Sequence, residues 1–329
     1  MRFAIGVDLG GTSLRVAAVD ESGRVMERLS SPVKTLAGRD QVIDQLCELA
    51  QVLIAKHGAS NNPEATLAGI GVGVPGIIQL ETGQLRRSPN LPGWEDFRVR
   101  DEIERRLGAP NGIKIALDND ANLAALGEKW LGAGRDVDSM CLITLGTGVG
   151  GGLIFNGRIW HGFLGMAGEL GHVMVSESGS QCGCGSTGCL ETKASATAIV
   201  LKARAAIQSS SDSLLSKAVA SGEPLTAALV FRCAQEGDDV ARRIYASVGK
   251  YLGIGLAGLV NALNLPLYVL GGGVAEAWDA YAPAMFKQLQ RSSYIYAEGG
   301  TRVVQSQLRG EAGLLGAAYL ALDGALKAK

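Results

Sequence analysis

The chain has 329 residues, 47% of them hydrophobic, and a net charge of -1 from 31 basic and 32 acidic side chains. That length and apolar content can bury more core than one domain usually holds, so two domains are expected. The balanced charge, with no run of Lys or Arg, argues against an electrostatic grip on nucleic acid or on an acidic membrane surface.

The apolar run before Asp8 is too short for a signal peptide, and no stretch of roughly 18 residues lacks polar interruption, so a cytoplasmic chain with no membrane partner is expected. The first element is the short buried strand FAIGV, which ends in DLGGT, Asp8 to Thr12. Backbone N–H groups at Gly10, Gly11 and Thr12 can form a concavity for phosphate oxygens, with Asp8 toward a Mg²⁺ ion. SLRVAAV, a turn at 20–23 and RVMERL then continue as strand, turn and strand. Val42, Leu46, Leu49 and Leu53 recur at three- and four-residue steps and predict a helix over 40–57, with Asp40 as N-cap and Gly58 as the stop.

IKIALDNDANLAALGE, Ile113 to Glu128, is an apolar strand running into a helix predicted over 121–131. Asp118, Asn119, Asp120 and Asn122 stand at that junction, where α/β proteins usually place ligand contacts. A carboxylate there can accept the proton of an attacking hydroxyl while a neighbouring Asn orients that hydroxyl. One of the four is expected to cap the helix instead.

The strand MCLIT leads to LGTGVGGG, Leu145 to Gly152, then LIF, a turn at Asn156 and Gly157, and RIW. This repeats the order seen after FAIGV and predicts an internal duplication, one copy opening each of two α/β lobes. Gly146, Gly148 and Gly151 also match GxGxxG, but the dinucleotide fingerprint needs a helix to start there and a strand follows instead. Neither a P-loop nor the protein-kinase set is present. A nucleotide held by two phosphate hairpins fits better. A small-residue helix is predicted over 239–263, with Gly249, Gly253 and Gly258 serving close packing. After it, LYV opens into LGGG, Leu270 to Gly273, which would lie beside the base or ribose. A last helix is predicted over 311–326. Strands alternating with helices make an α/β protein.

Cys47, Cys141 and Cys233 sit in apolar surroundings as small buried hydrophobes. His172, Cys182, Cys184 and Cys189 follow H-x9-C-x-C-x4-C. Three thiolates and one imidazole make a closed tetrahedral Zn²⁺ set, a structural rather than a catalytic site. A Cys184–Cys189 disulfide is the alternative, and redox catalysis lacks its CxxC before a helix. If His172 gives one ring nitrogen to the metal, its other N–H can donate to a substrate hydroxyl.

Together DLGGT, LGTGVGGG, NDAN and GELGH followed by CGCGSTGCLE resemble the ROK family of sugar kinases, within the actin, Hsp70 and hexokinase superfamily. The resemblance implies a two-lobed actin-like (ribonuclease H-like) ATPase fold, with a duplicated strand-hairpin-helix unit and a cleft between lobes. It implies a small lobe of 1–118 plus 311–329, and a larger one of 119–310 carrying the zinc segment 172–189. On it, Asp120 is the general base and Asn119 a sugar contact. Glu169 and His172 hold the sugar ring, and Glu191 completes the pocket. VPGII with SPNLPGW resembles the family's sugar loop, which adds Gly76 and Asn90, with Trp94 only packing. Asp8, Gly10, Gly11, Thr12, Gly146, Thr147, Gly148, Gly271, Gly272 and Gly273 match the nucleotide motifs. Many relatives read DIGGTK, whereas Ser13 follows Thr12 here, leaving Arg15 as the nearest cation.

The function so implied is ATP- and Mg²⁺-dependent phosphorylation of a hexose hydroxyl, glucose to glucose 6-phosphate first. N-acetylmannosamine, N-acetylglucosamine, mannose, fructose and allose are the alternative sugars, and a homodimer or higher homo-oligomer is the family expectation. Family repressors add an N-terminal helix-turn-helix module before the first glycine turn. Asp8 lies at the very start of this chain, so an enzyme is expected over a repressor. The intact NDAN and GELGH likewise disfavour a sugar-sensing ATPase without transfer activity.

Overall fold

The structure, a computed structural model, describes residues 1–33, 38–59, 61–88, 90–108 and 112–324. It forms two compact units: 1–138 with 152–168 and the chain from 310 onward, and 139–151 with 169–309.

The first unit opens with β1 (Arg2–Leu9), β2 (Ser13–Asp20), β3 (Val25–Pro32), α1 (Arg39–His57) and β4 (Thr66–Val74). A small sheet of β5 (Ile77–Gln79), β6 (Gln84–Arg87) and β7 (Phe97–Arg98) follows, then α2 (Val99–Arg106), β8 (Ile115–Asn119) and α3 (Asp120–Leu131). Next come β9 (Met140–Leu145), β10 (Val149–Phe155), which runs from the second unit into the first, and β11 (Arg158–Ile159). The second unit continues with α4 (Glu191–Ala194), α5 (Ala196–Ile207), α6 (Leu214–Ala220), α7 (Ala227–Gln235), α8 (Asp239–Leu263), β12 (Leu267–Gly271), α9 (Trp278–Ser292), α10 (Tyr294–Glu298) and β13 (Arg302–Gln305). The chain then returns to the first unit as α11 (Ala312–Gly324).

The first sheet has the order β3-β2-β1-β4-β8 and the second β11-β10-β9-β12-β13. In the first, β1–β2 and β2–β3 pair antiparallel, and β1–β4 and β4–β8 parallel. In the second, β10–β11 pair antiparallel, and β9–β12 and β12–β13 parallel. Three consecutive strands followed by two parallel crossover strands thus occupy the same places in both sheets, which is the duplication expected from the paired glycine hairpins. Phe3, Ile5 and Val7 of β1 join Val42, Leu46 and Leu53 of α1 and Ile103 of α2 in one core.

Small residues set the approach of helices on the other side of the first sheet. A side chain at Gly71 would run into the Ala317 carbonyl of α11, and one at Gly316 into the Leu123 carbonyl of α3. Such contact leaves no room for a methyl group, so α3 and α11 are packed backbone to backbone. For that reason the expected lobe boundary at 118/119 is displaced. The first unit keeps α3 and runs to 138, and it also takes 152–168.

Helix ends correct two expectations. Gly38, not Asp40, precedes α1, and its cap has no side-chain bond; Asp40 lies in the first turn and pairs with Arg106 at 2.8 Å. Gly58 does stop α1, its N–H donating to the Ile54 carbonyl at 2.8 Å. The final helix starts at Ala312 after a tight turn over Arg309–Glu311, and the expected residues 325 and 326 lie outside the described ones. Helix α8 matches its expected span, capped by Asp238 and ended by Asn264 in the left-handed region at φ 45. Gly249 and Gly253 press on the backbone of α9 at Tyr281 and Met285, but Gly258 meets nothing. Nine residues on from Gly249 is half a turn around the helix, so Gly258 points away from that contact. By length and composition α8 could cross a membrane. Its Val248, Leu252, Leu256 and Val260 are instead buried inside the protein. Cys47, Cys141 and Cys233 are buried, and Trp94 packs edge-on against Phe97.

Candidate functional site

Each unit gathers its own set of the expected residues. In the first, β1 and β2 pair in register so that Asp8 faces Arg15, and the DLGGT turn joins them. The Gly10 N–H donates to the Ser13 carbonyl at 2.9 Å, and the Thr12 carbonyl accepts from the Val33 N–H at 3.0 Å. A side chain added at Gly11 would meet Asn90 at 3.5 Å, so the expected sugar-loop residue lies near the expected phosphate turn. The Arg15 guanidinium bonds the Asp8 carboxylate and the Gly310 carbonyl. The cation nearest Ser13 is therefore held by Asp8. A side chain added at Gly313, in the first turn of α11, would stand 3.6 Å from the Asp8 carboxylate.

At the end of β8, Asn119 is the residue that caps α3. Its Oδ1 accepts from the Ala121 N–H at 2.9 Å and the Asn122 N–H at 3.3 Å. Its Nδ2 donates to the Gly76 carbonyl at 3.0 Å, so two expected sugar contacts hold each other. Gly76 has φ 117, and a side chain there would strike the Arg87 carbonyl; glycine is required at this turn. Asp120 is the first residue of α3, at the tip of the strand, where the helix dipole favours an anion.

Asp118 is 3% exposed. Its Oδ1 accepts from the Asn119 N–H at 2.7 Å and from Asn122 Nδ2 at 3.0 Å, and its Oδ2 meets Nε2 of His161 at 2.7 Å. His161 carried no sequence signal. It belongs to no motif, and its partner lies 43 residues away.

In the second unit the β9–β10 turn carries Gly146, Thr147 and Gly148. The Gly146 carbonyl accepts from the Ala196 N–H at 2.8 Å, and the Thr147 carbonyl from Thr197 Oγ1 at 2.7 Å. Gly272, with φ 84, lies so close to the Leu145 backbone that only glycine fits. Gly271 to Gly273 and Gly146 to Gly148 are thereby brought side by side. Glu191 opens α4, and its Oε2 accepts from the Val149 N–H at 3.0 Å. Its Oε1 lies 3.8 Å from Cys182 Sγ. Gly171 packs on the Val149 carbonyl, which ties GELGH to the same hairpin.

One ligand atom from each of His172, Cys182, Cys184 and Cys189 lies within 4.8 Å of all the others. Cys182 Sγ is 3.5 Å from His172 Nδ1, and the Sγ atoms of Cys184 and Cys189 are 3.7 Å apart. Zn–S bonds of about 2.3 Å and Zn–N bonds of about 2.0 Å at tetrahedral angles give edges of roughly 3.5–3.8 Å. A disulfide would need about 2.05 Å, and the three cysteines are free. The residues therefore fit a metal. Burial pushes the Cys182 thiol up to about 12 and raises Cys189, while a backbone bond from Ser186 lowers Cys184. Protons on the raised thiols must leave when a metal enters. His172 turns Nδ1 to the thiols, and its Nε2 lies 3.8 Å from Glu169 Oε2.

The ROK family profile matches residues 4–324. The chain belongs to the ROK family. This ROK protein is 37% identical to the glucokinase of Halalkalibacterium halodurans, covering 97% of this chain and 94% of that one. It is 38% identical to the glucokinase of Thermotoga maritima, covering 96% of each. A ROK family glucokinase from Streptomyces griseus, solved in complex with glucose and AMPPNP, superposes with a TM-score of 0.79 at 32% identity, covering 97% of this chain and 98% of the other. The fold is the actin-like ATPase fold of the ROK sugar kinases.

Proposed function

We propose that this ROK protein is a sugar kinase that transfers the γ-phosphoryl group of ATP to a hexose hydroxyl, with glucose as the first substrate and glucose 6-phosphate as the product. The observation that carries this reading is the division of labour at the β8–α3 junction. Asn119 caps α3 through both the Ala121 and Asn122 N–H groups, and Asp120 stands as the first helical residue at the strand tip, its Oδ1 sharing the Ala121 N–H at 2.9 Å. The near full-length glucokinase relatives support the choice of sugar.

The sugar hydroxyl oxygen attacks the γ-phosphorus in line, the bond to the ADP oxygen breaks, and the hydroxyl proton passes to the Asp120 carboxylate. Backbone N–H groups of Gly11 and Thr12, and those of Thr147 and Gly148, bind phosphate oxygens, while the Gly10 and Gly146 N–H groups close the two turns onto the Ser13 and Gly148 carbonyls at 2.9 Å. Gly271, Gly272 and Gly273 lie along the base or ribose. Asp8 is the carboxylate suited to Mg²⁺, which when bound neutralises phosphate charge. Asn90, Gly76 and Asn119 serve the sugar in the first unit, and Glu169, His172 and Glu191 serve its ring hydroxyls in the second. His172 and the three cysteines would hold Zn²⁺, and with Nδ1 turned to the thiols the Nε2 of His172 would be left for the sugar. A cytoplasmic enzyme, where ATP is abundant and thiols stay reduced, and a homo-oligomer complete the reading.

Replacing Asp120 with Asn tests it. The wild-type protein should consume ATP with glucose, and D120N should lose about 10²- to 10⁴-fold in kcat while its glucose Kd stays within a few-fold. A mild effect on turnover removes Asp120 as the base.

A further inference from the structure

Asp118 stands two residues before Asp120, yet its carboxylate is turned into the protein. Three donors converge on it: the Asn119 N–H and the Asn122 amide on Oδ1, and His161 Nε2 on Oδ2. The first two come from the junction itself, the cap residue and the first turn of α3. The third comes from a different segment, after β11, whose backbone is closed by the Ala167 N–H donating to the His161 carbonyl at 3.0 Å. His161 is 30% exposed in its side chain, whereas Asp118 is 4%. Asp118 is thus a buried anchor with one external brace.

We propose that His161 is a positioning residue that aims the catalytic base Asp120 by acting through Asp118. A buried carboxylate oxygen stripped of its donor is costly and turns to find another. Oδ1 and Oδ2 belong to one rigid group, so a rotation that rescues Oδ2 withdraws Oδ1 from the Asn119 N–H and from Asn122. Those two bonds set the chain direction on which Asp120 stands. Displacing a reacting group by about 1 Å can cost up to ~10²-fold in rate. His161 does not touch the transferred proton, and of the sugar contacts assigned above only Asn119 shares the Asp118 bond, its side chain being held independently by the Gly76 carbonyl and the Ala121 N–H. The loss therefore falls on kcat rather than on KM. The inference rests on the kinase reading and on Asp120 as base.

Two polar substitutions that differ by one methylene test it. His161→Gln can place an amide N–H where Nε2 lies, and His161→Asn is too short to reach Asp118. H161Q should keep kcat within about 3-fold of wild type, and H161N should lose about 10-fold or more with the glucose KM changed less than about 3-fold. Hydrogen exchange of the 115–123 segment should quicken in H161N and not in H161Q, whether or not the protein is active. Equal loss in both variants, unchanged kcat in H161N, or unchanged exchange in H161N overturns the inference. Wild type and D120N assayed alongside report separately on the kinase reading.

Discussion

Asn119 and Asp120 are adjacent and chemically similar, and the structure gives them different work. The motif NDAN marked the junction as a ligand site in the sequence, but Asp and Asn both cap helices, so the cap could not be assigned from residue type. What decides it is that Asn119 has the strand-like backbone of a cap while Asp120 is already helical. The same limit hid His161, since a contact made across 43 residues leaves no local pattern. The metal set was legible because three thiols and an imidazole in a short stretch have few other uses. His172 joins that set to Glu169, and Glu191 joins it to Val149. On the proposed zinc reading, treatment with a chelator under reducing conditions should therefore weaken glucose binding at least about 10-fold and lower the melting temperature. Calorimetry and glucose titration measure both, and a metal-free protein with unaltered glucose affinity would contradict the link.

Helix α8 was legible from end to end because its 25 residues include a clear cap and a long apolar stripe. Its glycines were only partly so. Small residues signal close packing, but the side of the helix on which each falls decides whether packing is there. Gly249→Ala pushes a methyl group into the α9 backbone and should cost about 1–3 kcal/mol. Gly258→Ala fills empty space in a helix interior and should stabilise by up to about 1 kcal/mol. Thermal unfolding of the two variants should shift in opposite directions; destabilisation by both would contradict the packing assigned here. The sheet of β5, β6 and β7 went unread because strands of two to four residues carry too little periodicity. Helices α5, α6 and α7 also went unread, although Ser195, Ser213 and Thr226 each cap one of them through the hydroxyl.

Over the whole chain, the duplication was visible as two glycine hairpins of the same design, and the strand orders β3-β2-β1-β4-β8 and β11-β10-β9-β12-β13 repeat it. Unit boundaries were not visible, because they depend on α3 meeting α11 from opposite ends of the chain, where Gly127 and Gly316 remove the side chains that would separate them. The two glycine turns, the carboxylate at the β8–α3 junction and the Cys/His cluster thus follow from motifs, while the bonds that brace them follow only from the fold. Phosphoryl transfer itself is the central claim. A coupled assay with ATP across glucose, mannose, fructose, allose, N-acetylglucosamine and N-acetylmannosamine measures it directly. The account predicts turnover on the order of 1–100 s⁻¹ with glucose as the best substrate and a 6-phosphate product; no sugar-dependent ATP consumption with any of the six would contradict it.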